Sequence, residues 1–253
     1  MSTSRWLGAG MTVAALVLAG CANTASTSAT VATMGATAGT PVSIMVGGLN
    51  KQIYLPFKLT QRLGFFAQQG VNVQLSDEPA GVDAEDPMLA GQVDGVGGFY
   101  DHTIDLQSKG KQTESVVQLL QVPGEVELCR TDEQGSIHSP ADFAGKRLGV
   151  TGLGSSTNFL SKYLATRAGV AAGKTTSVAV QAGNTFIGAM QHKTIDCGMT
   201  TEPTISAVLQ KHLGFVLVDM RSAAGAQQAL PLRGGDGDHG DVAVGGGGEA
   251  ERA

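Results

Sequence analysis

The stretch DFAGKRLGVTGLGSSTNFLSKYL, residues 142–164, decides the reading of this chain. Lys146 to Thr151 is a short apolar-patterned run that feeds a Gly-rich turn, Gly152-Leu-Gly-Ser-Ser-Thr157. A helix is predicted to open at about Thr157, with Phe159, Leu160, Tyr163 and Leu164 on one face. Ser155, Ser156 and Thr157 are all N-cap residue types, whose side-chain oxygens satisfy orphan amides of a first turn. The glycines let the backbone approach a ligand closely. Free N–H groups and the positive end of the helix dipole would then converge on one spot, suited to an anion or a polar oxygen. Taken alone, the same stretch reads more readily as a capped strand-to-helix turn, so the flanking pattern must decide.

Upstream, Pro41 to Val46 reads as a strand that ends in Gly47-Gly48-Leu49-Asn50. A helix is expected from about Tyr54, with Leu55, Leu59, Leu63 and Phe66 at helical spacing, and Gln69-Gly70 closing it before strand Val71 to Leu75. A short helix over Asp83 to Ala90, a strand over Val96 to Phe99, a helix from Tyr100 and a strand over Val116 to Val122 follow. Pro123-Gly124 breaks the pattern, which then restarts with strand Val126 to Cys129. Downstream of the turn, helices and strands alternate as far as Val218. Such alternation predicts an α/β fold with parallel sheets, and Pro123 a hinge between two lobes. Ligands in such sheets lie beyond the carboxyl ends of strands. The loops Gly48 to Tyr54, Phe99 to Thr103, Gly152 to Thr157 and Thr200 to Pro203 all take that position, which points to a binding cleft.

The chain has 253 residues, 42% hydrophobic and 15% charged, which suffices for one large domain or two modest lobes. A net charge of -5 offers no basic footprint, so nucleic acid is excluded as a partner. Residues 1–20 read as a signal peptide: Arg5 supplies the positive start, and the apolar run from Leu7 to Gly20 is too short to span a bilayer. That run ends in Leu18-Ala19-Gly20-Cys21, which resembles the lipobox of bacterial lipoproteins and implies lipidation of Cys21 and a membrane anchor. The alternative is an ordinary signal with a chance cysteine. Residues 21–40, nearly all Ala, Thr, Ser and Gly, cannot bury a core and read as a flexible tether. Cys129 and Cys197 fall in predicted strands as two buried thiols or as a disulfide, and neither has a His or Cys neighbour at metal-ligand spacing.

Four stretches, in order, carry a family likeness: VGGLNKQIYLPFKLTQRLGFFAQQGVNVQL from Val46, GQVDGVGG from Gly91, the 142–164 stretch itself, and TIDCGMTTEPTISAVL from Thr194. Together they resemble solute-binding proteins of the nitrate/sulfonate/taurine (SsuA-like) type, a group that takes in thiamine-pyrimidine (NMT1/THI5-like) binders. The resemblance implies a type II periplasmic-binding-protein fold, with lobe 1 over 41–122 and lobe 2 over 123–220. It implies no chemistry and no cofactor, only closure on a small anionic or zwitterionic solute delivered to the permease and ATPase subunits of an ABC importer. By position, Gly154, Ser155, Ser156 and Thr157 would hold the solute's anionic or polar end. Asn50 and Tyr54 would contact it from the other lobe, and Tyr100, His102 and Glu202 would line the remainder. The Cys-rich metal motif of the eukaryotic pyrimidine synthases is absent. Glu202 and Asp101 would favour a solute that also carries an amine, such as taurine or an aminopyrimidine, unless each caps a helix or pairs with a cation.

From Pro231 the text turns Gly- and Asp-rich, without an apolar period. The family continues here with helices that complete the first lobe, so the expectation for 221–253 is an incomplete return segment with a disordered or out-of-frame tail. Ala168 to Thr175 fits a relaxed phosphate-loop pattern, but a helix precedes it and a strand follows, the reverse of what that loop needs. The competing function is an enzyme on the same bilobal fold, for instance a pyrimidine-precursor or aromatic-acid enzyme.

Overall fold

A computed structural model describes residues 39–231. The expected signal peptide, all but the end of the tether, the expected lipidation site at Cys21 and the Gly-rich tail lie outside the described residues. Two sheets organise what is described. The first is three-stranded and wholly parallel, in the order β2-β1-β3, from β1 (Thr40–Val46), β2 (Val71–Asp77) and β3 (Gly95–Gly97). The second is five-stranded, in the order β6-β5-β7-β4-β8. Its members are β4 (Glu125–Arg130), β5 (Arg147–Val150), β6 (Thr176–Ala179), β7 (Cys197–Thr201) and β8 (Gly214–Asp219). Strands β5, β6 and β7 are mutually parallel, whereas β4 runs antiparallel to both β7 and β8. The α/β architecture, with predominantly parallel sheets, matches the expectation from sequence.

The helices are α1 (Leu55–Arg62), α2 (Phe65–Gln68), α3 (Gly81–Leu89), α4 (Tyr100–Ser108), α5 (Ser156–Arg167), α6 (Asn184–Gln191), α7 (Thr204–Gln210) and α8 (Ala223–Ala229). Period-2 alternation divides the side chains of β4 between the two faces of its sheet. Val126 and Leu128 join Phe186, Ile187, Ile205 and Val208 in a core built on α6 and α7. Cys129 points to the other face and packs with Phe143, Leu148 and Ala165 beneath α5. There it is bonded to Cys197, its direct cross-strand partner on β7. Helix α8, which lacks an apolar period in the sequence, is capped by Ser222, whose hydroxyl accepts from the Gly225 amide. Ala226, Ala229 and Leu230 pack against Leu164, Met199 and Met220, so the chain remains part of the second lobe to that point.

The first lobe departs from the expected pattern in two places. The helix after Tyr54 is interrupted at Gly64, which has φ of 75° and separates α1 from α2. Its apolar row faces outward: Leu55, Leu59 and Leu63 are 42%, 46% and 58% exposed. The strand expected over Val116 to Val122 does not form, and Val116, Val117, Leu119 and Leu120 are exposed. A β-run gains its hydrogen bonds only from a neighbouring strand, and none of the described strands pairs with this one.

One end of the second sheet is held by charge. Buried Arg130 donates to the Ile195 carbonyl at 2.8 Å, to Asp196 at 2.9 Å and to Asp132 at 2.8 Å. Asp196 also accepts from Arg147 at 2.7 Å, and Lys146 pairs with Glu133 at 2.7 Å. All five hydrogens of the guanidinium fork point at such acceptors or their neighbours, the arrangement that makes buried arginine tolerable.

The α5 face of β4 also holds Glu127, fully buried, with one oxygen accepting from the Ser161 hydroxyl at 2.6 Å. Its other oxygen has no partner among the described residues. Burial pushes this carboxyl up to about 8, against a small opposing effect of Ser161. The folded protein thus retains a proton that the unfolded chain releases near its ordinary carboxylate pKa. The stabilisation from this proton is complete below the ordinary carboxylate pKa and is lost as pH rises toward 8, at up to about 1.4 kcal/mol per pH unit for one such group. In urea titrations at pH 5 and pH 8, Glu127→Gln is expected to gain about 1–3 kcal/mol at pH 8 and to change little at pH 5. Equal effects at the two pH values would show that Glu127 titrates normally.

Candidate functional site

The carboxyl ends of both sets of parallel strands supply loops to one interface. β1 runs out at Val46 into Gly47-Gly48 and a single 3-10 turn, Gln52–Tyr54. The Gln52 amide donates to the Glu202 carbonyl at 3.0 Å, tying that turn to the loop after β7. The turn after β5 lies against the start of α3: a Cβ added at Gly152 would sit 2.8 Å from the Ala80 Cβ. Gly152 is therefore required by closeness. A cavity of about 280 Å³ also spans the interface, lined by Asn50, Lys51, Asp77 and Pro79 on one side and Gln181 and Ala182 on the other.

The 151–157 turn is not the set of free amides expected from its sequence. The hydroxyls of Thr151, Ser155 and Thr157 bond one another at 2.9–3.0 Å. Thr157 Oγ1 accepts from the Thr151 amide, Ser155 Oγ from the Gly152 amide, and Asn158 Oδ1 from the Gly154 amide. Two of the side chains expected to greet a ligand, Ser155 and Thr157, spend their capacity on fixing the loop, because short hydroxyl residues reach nearby backbone before anything else. What remains for a ligand is the first turn of α5, where the amides of Ser156 and Thr157 have no intrahelical acceptor. The Ser156 hydroxyl donates to Glu125 Oε1 at 3.1 Å.

Opposite this turn, the first lobe contributes buried Lys51, Tyr54, Glu85 and His102 together with half-buried Asp101. The Lys51 ammonium donates to the carbonyls of Gly47 and, at 2.9 Å, Pro79. Desolvation lowers it to about 8, opposed by the charges of Glu125, Asp77 and Asp83. Burial raises the Tyr54 phenol, and Glu125, Asp101 and Glu85 push it the same way. Burial likewise raises Asp101, partly offset by His102. His102 Nδ1 lies 2.5 Å from Glu85 Oε1, off the hydrogen-bond direction. On the second lobe, Glu125 is 1% exposed. Its carboxyl is raised to about 8, chiefly by burial, with Ser156 and Lys51 opposing and Asp101 reinforcing.

Of the residues expected at the site, Tyr54, His102, Ser155, Ser156 and Thr157 are buried, as is the contact partner Lys51, whereas Asn50 is exposed at the cavity rim. Tyr100 is 65% exposed at the start of α4. Glu202 has other employment: one oxygen accepts from the Ser206 amide in the first turn of α7, and the other pairs with Arg221 at 3.0 Å. Sequence reasoning passed over Glu125. Its signal was there, since Glu125 and Glu127 alternate with Val126 and Leu128 in a strand whose every residue is buried. No group of three or more His, Cys, Asp or Glu among the described residues is placed to hold a metal ion.

Solved structures share this architecture. A protein from Bordetella bronchiseptica RB50 is 28% identical, with a TM-score of 0.70 over 75% of this chain and 60% of that one. The alkanesulfonate-binding protein SsuA from Xanthomonas axonopodis pv. citri, solved with MOPS, is 18% identical, with a TM-score of 0.55 over 75% and 63%. The periplasmic nitrate-binding protein NrtA from Synechocystis PCC 6803 is 15% identical, with a TM-score of 0.59 over 71% and 51%. The chain thus spans between half and two thirds of the length of these relatives. No curated protein matches the sequence. The family model described as NMT1/THI5 like matches residues 51–223, well over half of the chain, and the chain belongs to that family.

Proposed function

We propose that this protein is the solute-binding component of an ABC importer, exported and lipid-anchored through Cys21, with permease and ATPase subunits as its partners. The observation that carries the reading is the interface itself. Two α/β lobes present the carboxyl-end loops of their parallel strands to each other, joined where Gln52 meets Glu202 and where Gly152 meets Ala80. Ligands of open α/β sheets occupy that position. Family membership and the folds of alkanesulfonate- and nitrate-binding neighbours support it. The solute is small and anionic or zwitterionic, of the sulfonate, taurine, nitrate or thiamine-pyrimidine type. Asn50, Tyr54, Tyr100, His102 and the Gly154 to Thr157 turn, the last through the first-turn amides of α5, are the proposed contacts.

Such a protein binds without turning over. In a thermal-shift panel of nitrate, taurine, isethionate and 4-aminopyrimidine, at least one compound is expected to raise the midpoint saturably. A tenfold excess over Kd should add about 1.4 kcal/mol of apparent stability, and mass spectrometry should recover the compound unchanged. Conversion of a bound compound to product would favour the enzyme alternative.

The anchor is testable separately. Cells expressing the full chain and fed labelled palmitate are expected to carry label on it, with the protein in the membrane fraction, and Cys21→Ala should abolish both. Unlabelled, freely soluble wild-type protein would contradict anchoring.

A further inference from the structure

We infer that Glu125 selects the solute, by accepting a hydrogen bond from a nitrogen-borne donor that the solute carries beside its anionic or polar end. The inference rests on the solute-binding reading and sharpens it to amine- or amino-bearing compounds.

Three observations converge on it. The first is direction. Because β4 is antiparallel to β7, its first residue lies opposite Thr201, the last of β7. Glu125 thereby stands at the ligand-facing edge of the sheet, while Arg130 lies at the other edge.

The second is an unspent acceptor. Glu125 is 1% exposed, Ser156 uses Oε1, and Oε2 has no partner among the described residues. A buried carboxyl oxygen without a donor is costly, and burial favours its protonated form; an ammonium brought to Oε2 supplies both the donor and the positive charge that holds the carboxylate ionised.

The third is the balance of the neighbours. Glu125 is close enough to the first lobe for Lys51 and Asp101 to influence it electrostatically. Asp101 Oδ1 also lacks a hydrogen-bond partner among the described residues, whereas Glu85 Oε1 faces His102 Nδ1 at 2.5 Å. Lys51, the cation at this interface, already donates to two backbone carbonyls. His102 Nε2 and the Thr200 hydroxyl are uncommitted as well. With Lys51 spent on backbone, however, the carboxyls of Glu125 and Asp101 face the solute without a free cation, and a bare anion would meet them unfavourably. A solute with an amine suits that surface, while the first turn of α5 remains for its anionic end. Glu127 provides an internal comparison: it lies on the same face of the same strand, but burial and Ser161 alone perturb it, and no first-lobe residue does.

Matched pairs test this by calorimetry on the full chain: taurine against isethionate, and 4-aminopyrimidine against 4-methylpyrimidine. The amino group is replaced by a hydroxyl in isethionate, which can donate but carries no charge, and by a methyl, which cannot donate, in 4-methylpyrimidine. Wild type is expected to prefer the amino member of at least one pair by about tenfold or more, the worth of one charge-assisted hydrogen bond. Glu125→Gln should weaken that preference and Glu125→Leu abolish it, while Glu127→Gln leaves it intact. Thermal unfolding of each variant confirms that it is folded. Equal binding of both members by wild type, or a preference that survives in Glu125→Leu, would overturn the inference and leave the solute-binding reading standing. Binding of neither member of either pair would overturn the inference, and if nitrate also fails to bind, the solute-binding reading falls with it.

Discussion

Strand β4 runs against its neighbours, and its direction sets what each end of the second sheet can do. A parallel strand in its place would carry Arg130 to the cleft and Glu125 to the far edge. As built, the antiparallel pairing with β7 and β8 puts the arginine among Asp132, Glu133 and Asp196, where every hydrogen of its fork has a carboxylate or carbonyl nearby. The same pairing sets Cys129 opposite Cys197 and Glu125 opposite Thr201. One strand thus supplies the charge anchor, the covalent link and the acidic group at the lobe interface.

The two ends of this strand illustrate opposite treatments of buried charge. Around Arg130, several acids share one guanidinium and all are held in the ionised form; Asp132, Glu133 and Asp196 lie below their ordinary range. Around Glu125 and Glu127, each carboxyl has a single serine hydroxyl for company, and burial favours the protonated form. A serine cannot offset the desolvation of a carboxylate, whereas a bidentate arginine can. The first arrangement is structural. The second, where it faces the other lobe, leaves recognition capacity available.

Much of this was legible in the sequence. Strand and helix alternation from Arg147 to Val218 gave the elements of the second lobe to within a residue or two, because each helix carries a clear break of Gly, Pro or a polar cluster before the next strand. The direction of β4 was not legible, since Pro123-Gly124 marks a break and says nothing of which way the chain resumes. In the first lobe, periodicity located α1 but not the side it buries: Leu55, Leu59 and Leu63 repeat at helical spacing and nevertheless face outward. Residues 116–122 have strand composition without a strand beside them among those described. At the site, residue types were readable and their hydrogen-bond allocation was not. Ser155 and Thr157 bind their own loop rather than standing open, and only coordinates show that such a network closes on itself.

The central claim is that a solute is held between the two lobes rather than on either one. Hydrogen–deuterium exchange of the full chain with and without saturating taurine measures this directly. Slowed exchange is expected together in the amides of Gly47 to Tyr54 and of Gly152 to Asn158, one set from each lobe. Protection confined to one of these segments, or found instead around Leu164, Arg167, Gly225 and Ala229, which line a separate groove within the second lobe, would contradict an interlobe site.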